Sequence, residues 1–311
     1  MVRFILIRTL QALFSIYLVT TAVFFLARVT GDPVDLLLPV EATAEDAARI
    51  RALWGLDQSM WVQYTTYLSN AVRGDFGTSL LFRGRDAFEV VISHLPATLN
   101  LGLLALLWSG LLGALVGFLA ALKPNSPIDS FANVTSAVGQ SMPAYWLGIV
   151  LIFAFSVQLG WLPVSGMGDG SLRYYVLPAI TMGWFQYAAI TRLMRSSMLD
   201  VLDRPYMLLA EAKGLAFWRV AVVHGLKNAV SIPLTYFGIV IGVVLTGSVA
   251  VETVFGWPGI GRLAIQAVLR RDFVTLQVIT IMFMIIYLLA NLLVDVLYGV
   301  LDPRVRTRVS S

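Results

Sequence analysis

Six stretches of this chain run for about the thickness of a bilayer without a lysine or arginine: Thr9–Ala27, Leu95–Leu122, Ser130–Gly160, Tyr174–Thr191, Asn228–Val251 and Phe273–Val294. A hydrocarbon core of roughly 30 Å needs about 20 helical residues to cross it. Lipid offers a backbone no hydrogen bonds, so each stretch is expected to be helical. Several are longer than one crossing needs, which predicts tilt or kinks. Pro143 interrupts the third stretch and Pro178 opens the fourth, and the sixth helix is expected to run on to residue 300. Gly102, Gly110, Gly113 and Gly117 in the second stretch are small enough to let helices approach closely. The fold class expected is an all-α membrane protein with six transmembrane helices, forming a single domain over residues 1–311.

Composition agrees with that class and removes several chemistries. Apolar residues make up 58% of the chain and charged residues 13%, against roughly 25% charged in a soluble domain. There is no cysteine, so neither a disulfide frame nor a thiolate metal site can form. His94 and His224 are too few for an imidazole cluster. No metal site and no catalytic group are expected. The formal net charge of +4 is small and points to no nucleic acid. Arg3 and Arg8 precede the first stretch as they would in a signal peptide. That stretch is longer than a signal core, however, and residues 24–28 lack a small-x-small cleavage pattern.

Charge distribution sets the orientation. With the amino terminus inside, the inner segments hold Arg3, Arg8, Lys123, Arg192, Arg195, Arg204, Lys213, Arg219, Lys227, Arg304, Arg306 and Arg308 against Asp129, Asp200, Asp203, Glu211 and Asp302. The excess of cations inside agrees with the positive-inside rule and places both termini in the cytoplasm. The loop over residues 28–94 then lies outside. Within it, Thr43 as N-cap with Asp46 three residues on predicts a helix start, and Gly55 a stop. Trp61, Tyr64, Leu68 and Val72 recur at helical spacing, a stripe expected to lie against the membrane or the bundle. Residues 74–79 read as a turn. Residues 160–166 and 255–261 combine Gly, Pro and Trp, which suits turns in the headgroup layer.

Between Arg192 and Pro233 the chain becomes polar and cationic. Ser196 to Ala212 favours helix apart from Pro205, which is expected at a break or in a first turn. Gly214 supplies the left-handed geometry that ends one helix and lets the next leave at an angle. Leu215, Trp218 and Val222 then form an apolar stripe beside Arg219 and Lys227. Such an elbow of two amphipathic helices lies on anionic lipid or inserts into a groove of another protein.

The chain resembles the oligopeptide/dipeptide permease family of ABC importer membrane subunits, in its first, B-type subunit. Ala212-Lys213-Gly214-Leu215, followed by His224, Asn228 and Pro233, are similar to that family's coupling loop in order and spacing. So are Arg192, Arg195 to Leu199, Gly74 to Ser79, Leu159 to Gly166, Leu177-Pro178-Ala179, Glu252 to Phe255 with Pro258-Gly259, and Asp295 with Leu301 to Arg304. The likeness covers nearly the whole chain. It departs at Arg204-Pro205-Tyr206, where an acidic-aromatic pair is usual, and at Glu211, where arginine is common.

The resemblance implies a type I importer permease in a bacterial inner membrane, with an external helical loop and a cytoplasmic coupling elbow at 192–227. It implies a second homologous permease, two ATP-binding subunits or one fused ATPase, an external substrate-binding protein and surrounding lipid as partners. Di- or oligopeptides are the implied substrate, with nickel and glutathione carried by the same architecture. An ion-coupled secondary transporter is the rival class; it would need inverted repeats and broken helices, which the sequence does not display clearly. The chain holds no cofactor of its own and no Gly-x-x-x-x-Gly-Lys-[Ser/Thr] phosphate loop. ATP and magnesium would therefore sit in the partner ATPases. Ala210, Glu211, Gly214, Phe217, Trp218 and Arg219 are the implied coupling residues. His224, Asn228 and Pro233 would anchor the loop. Ser136, Gln140, Ser141 and Gln186 are expected along the pathway.

Overall fold

The computed structural model describes residues 2–29, 43–53, 55–82, 84–246 and 249–301. Among them the chain is helical, and the one strand-like feature is an isolated bridge between Thr78 and Asp86. The helices are α1 (Val2–Val29), α2 (Ala44–Leu53), α3 (Met60–Val72), α4 (Ala87–Leu122), α5 (Pro127–Ser141), α6 (Ala144–Gln158, ending in wide π turns), α7 (Leu172–Leu202) and α8 (Pro205–Ala212). They continue with α9 (residues 217–229, π turns at its centre), α10 (Ser231–Thr246), α11 (Val249–Val254), α12 (Ile260–Leu269) and α13 (Phe273–Leu301).

Three of these are long and apolar enough to cross a membrane: α1 over Thr9–Leu26, α4 over Ala87–Leu122 and α13 over Phe273–Leu292. The third sequence stretch is not one straight helix. It breaks between Ser141 and Ala144, and α6 is bent 112° away from the direction of α5. Pro143 has no N–H to continue the ladder and restrains Met142 to an extended backbone. Pro178, expected to open the fourth helix, lies inside α7, which begins at Leu172 and runs on past Thr191 to Leu202.

Contacts divide the chain into two units. In the first (Met1–Ala97, Pro258–Leu292, Val296–Ser311) the local signals work as read. The Thr43 hydroxyl accepts from the Asp46 N–H, and the Asp46 carboxylate accepts from both the N–H and the hydroxyl of Thr43. These bonds hold the Asp46 carboxyl below its usual range. Gly55 sits at φ +62°, where its N–H and that of Leu56 return to Ala52 and Arg51 and close the helix end. The stripe on α3 is only partly buried: Tyr64 is buried against α1, bonded to Thr21 at 2.7 Å, while Trp61 is 70% exposed. Residues 79–82 are clamped by the buried Asp272. Its carboxylate accepts from Ser79 Oγ (2.6 Å), Leu81 N (2.9 Å) and Thr275, whose N–H it also caps at the start of α13.

In the second unit (Thr98–Trp257, Leu293–Asp295), small residues set the spacing around α7. A Cβ on Gly113 would touch Ile190, and one on Gly183 would sit 2.5 Å from Trp108 Nε1. A Cβ on Gly117 would overlap the Thr191 carbonyl and lie 2.8 Å from Met194 Cβ. The two Gly-Pro-Trp turns also meet. Gly166 N–H donates to the Phe255 carbonyl at 2.8 Å, and buried Trp257 packs edge-on against Tyr175.

Gly117→Ala is therefore expected to destabilise the protein by about 1–3 kcal/mol, because a backbone carbonyl cannot turn aside as a side chain can. A lowered Tm of the purified chain in detergent checks this; an unchanged Tm refutes the close approach.

Candidate functional site: the elbow after α7 and the cleft at the α5–α6 break

The elbow is built on an extension of α7. Eleven residues beyond Thr191 stay helical before the chain turns at Asp203–Arg204. Pro205 then occupies the first position of α8, where a missing N–H costs nothing. After Ala212 the chain passes through Gly214 at φ +82° and enters α9. No atom lies within 4 Å of a Cβ built on Gly214. The glycine is there for its backbone angle and not for space.

One face of the elbow is fixed to the protein. Ala221 and Ala229 are buried with Met194 and Met198 of α7 and Phe118 and Ala121 of α4. Gly225 comes against the methyl groups of Met198 and Met207. Ser197 Oγ donates to the Ala229 carbonyl at 2.8 Å in a buried position. The other face is open and apolar. Leu208 is 62% exposed and Trp218 57%, with Tyr206, Leu209, Phe217 and Val223 also exposed. The Trp218 ring rests edge-on against Phe118 at 5.8 Å, which restrains it without covering it. Arg219 and Lys213 are exposed, Ala210 is half-buried, and Glu211 lies in α8.

Phe217, Trp218, Arg219 and Gly214 thus lie on the exposed part of the elbow. Tyr206, Leu208 and Leu209 were missed, although their spacing ahead of Gly214 could have shown them. Pro233 is buried, but His224 is exposed and Asn228 turns its amide back to the His224 carbonyl at 2.8 Å. Ser197 and the alanine contacts tie α9 to α7.

A second tie joins the start of α5 to the same extension of α7. Asp129 is 2% exposed, and its carboxylate accepts two bonds from the Arg195 guanidinium, one of them 2.9 Å from Nη2 to Oδ2. The Asn125 N–H and the Asn133 amide complete its partners. Both residues stand at span margins, which was the available signal; their pairing was not readable.

The four pathway residues do not form one cluster. Gln140 and Ser141 line a cleft of about 410 Å³ at the α5–α6 break, with Pro143, Thr181 and Trp184. Gln186 instead accepts a bond from the Tyr236 hydroxyl at 2.9 Å. Ser136 is buried outside the cleft lining.

The family described as "Binding-protein-dependent transport system inner membrane component" matches residues 113–307, and its N-terminal companion matches residues 1–102. The glutathione transport system permease protein GsiC of Escherichia coli is 38% identical over 307 residues, covering 98% of this chain and 99% of its own. GsiC of Salmonella paratyphi A matches to the same extent. This chain belongs to the binding-protein-dependent ABC transport permeases. The permease also shares its fold with an amino acid ABC transporter solved with histidines, at a TM-score of 0.54 and 21% identity over 67% of this chain and 92% of the other. Its relatives are permease subunits, not enzymes, and its family works in the inner membrane beside a substrate-binding protein.

Asp129→Asn in this permease leaves Arg195 without its charge partner. The expected loss is about 3 kcal/mol, the low end for a broken buried pair because Arg195 keeps some solvent. Adding Arg195→Gln should recover part of it. Thermal unfolding of the single and double variants decides; strictly additive losses would show that the pair does not interact.

Proposed function

We propose that this permease forms half of the translocation pathway of an ATP-driven importer of small peptides. The observation that carries the reading is the open apolar face around Gly214. The exposed Tyr206, Leu208, Leu209, Phe217 and Trp218 on a firmly seated elbow give a surface suited to being covered. The chain has no phosphate loop of its own, so its energy comes from whatever covers that surface. A partner ATPase holding ATP and magnesium fits both facts. Two such ATPase subunits, or one fused, would draw two elbows together, this one and that of a second homologous permease. An external binding protein delivers the substrate. Six crossings, with both termini and the elbow in the cytoplasm and residues 28–94 outside, give this arrangement its sides.

The relatives are named for glutathione, a small peptide. Glutathione and simple dipeptides are therefore the first substrates to test, and nickel the next. The break at Pro143 is a feature also expected of ion-coupled carriers. Uptake driven by an ion gradient without ATP would replace the importer reading with that one.

The test is uptake by proteoliposomes holding this chain with its paired permease, ATPases and binding protein. ATP-dependent accumulation of dipeptide or glutathione is expected. Trp218→Ala and Leu209→Asp should each lower uptake by about tenfold or more, because central aromatic and aliphatic anchors dominate interfaces. The ATPase recovered with the permease should fall in parallel. Normal recovery of ATPase with both variants would place the docking surface elsewhere.

A further inference from the structure

Helix α12 is apolar on two sides. Ile260, Leu263 and Ala267 form its buried stripe. Ile265, Val268 and Leu269 form a second stripe at helical spacing, and it is uncovered: Val268 is 52% exposed and Leu269 76%. Arg270 and Arg271 follow directly, and both are exposed. Neither makes an ion pair among the described residues. Asp272 cannot neutralise them, because its carboxylate is buried and already accepts from Ser79, Leu81 and Thr275.

Chain continuity sets the depth of this face. Phe273 begins α13 and its membrane-crossing segment Phe273–Leu292. Cations placed just before an apolar crossing lie at the level of the lipid headgroups. The backbone gives a separate reason to look outside the fold for the use of Arg271. The Asp272 N–H returns to the Ala267 carbonyl at 2.8 Å and the Arg271 N–H to that of Val268 at 3.1 Å. That is the bonding of a helix end whose turning residue is commonly glycine. Arg271 occupies the turning position at φ +51°. The other described non-glycine residue at positive φ is Asn125, a type that tolerates it. Glycine would make the turn at Arg271 without strain, so the guanidinium answers to something beyond the turn.

We propose that the exposed face of α12 is a docking surface for anionic phospholipid. Ile265, Val268 and Leu269 enter the boundary of the acyl chains, while Arg270 and Arg271 hold the phosphate of a headgroup with net negative charge. A soluble acidic partner would meet the arginines but not an apolar stripe that leads into a membrane-crossing helix. In the arrangement of sides given above, this is the outer leaflet, where the positive-inside rule gives no reason for two arginines.

The test involves no transport, so it stands apart from the importer reading. The full-length permease is placed in nanodiscs of phosphatidylcholine, alone or mixed equally with phosphatidylglycerol. Both lipids carry a phosphate, but only the second carries a net charge. Lipids that stay with the released protein are counted by native mass spectrometry, and Tm is measured in both nanodiscs. Wild type should retain phosphatidylglycerol in preference and gain Tm from it, with the preference weakened by salt. Arg270→Gln and Arg271→Gly should each lower the preference about fivefold, the equivalent of about 1 kcal/mol for one cation near a membrane surface. Arg271→Gly keeps the turn, so its Tm in phosphatidylcholine alone should equal or exceed that of wild type, which separates lost lipid from a damaged fold. If one variant does not fold, the other decides. A preference within about twofold of wild type in both variants overturns the site. So does an unchanged lipid preference with loss of the external binding protein from the assembled importer, which would give this face to a protein partner.

Discussion

Hydrocarbon rewards helix association weakly, because lipid tails are as apolar as the side chains they would replace. What remains is close van der Waals approach, and in this permease that approach centres on one helix. Gly113 and Gly117 of α4 and Gly139 of α5 each admit a surface of α7, and Gly183 of α7 admits Trp108. The Trp108 N–H closes the last contact by donating to the Ala179 carbonyl at 2.7 Å. The position of α7 is therefore set by contacts that no larger residue can make. Both faces of functional interest are read off it: Thr181 and Trp184 at the cleft, and Met194, Ser197 and Met198 beneath the elbow.

The parts legible in the sequence were those decided within a turn or two of chain. Thr43, Asp46 and Gly55 mark a helix start and stop because capping is local. Pro205 and Gly214 mark the elbow's two bends for the same reason. The parts that were not legible depend on neighbours distant in sequence. Pro143 announced an interruption, but the 112° turn is fixed by how α5 and α6 pack on α7. Arg195 and Asp129 lie 66 positions apart, and Ser79 and Asp272 lie 193 apart. Each was visible only as a polar residue near a span margin or turn. His224 and Asn228 looked like anchors because they are the polar residues of the loop's last stretch. The tie between α7 and α9 joins a hydroxyl to a backbone carbonyl, and carbonyls carry no sequence signature.

Membership of the family explains why the polar groups are so unevenly placed. A permease that receives its substrate from a binding protein need not select it tightly within the membrane, and a tightly binding pathway would slow release. An uncharged lining, as at the cleft by the α5–α6 break, meets that requirement better than a fixed carboxylate or ammonium, whose pairing with one kind of side chain would bias transport.

The elbow and the start of α5 are both tied to the C-terminal extension of α7. The elbow is seated on the extension of α7 through buried alanines, methionines and the Ser197 bond. The Asp129–Arg195 pair fixes the start of α5 to that same extension. On the importer reading, a pull on the elbow thus moves α5 and α7 together, with little freedom between them. The α5–α6 connection is different. Its helical ladder is interrupted at Pro143, so the angle there is held by side-chain packing and not by backbone hydrogen bonds. Rearrangement driven from the elbow would concentrate at the weakest joint along this route. That joint borders the cleft lined by Gln140, Ser141 and Trp184. Coupling then requires only that α6 have two packings against a rigid α5–α7 pair, each favoured by a different state of the docked partner.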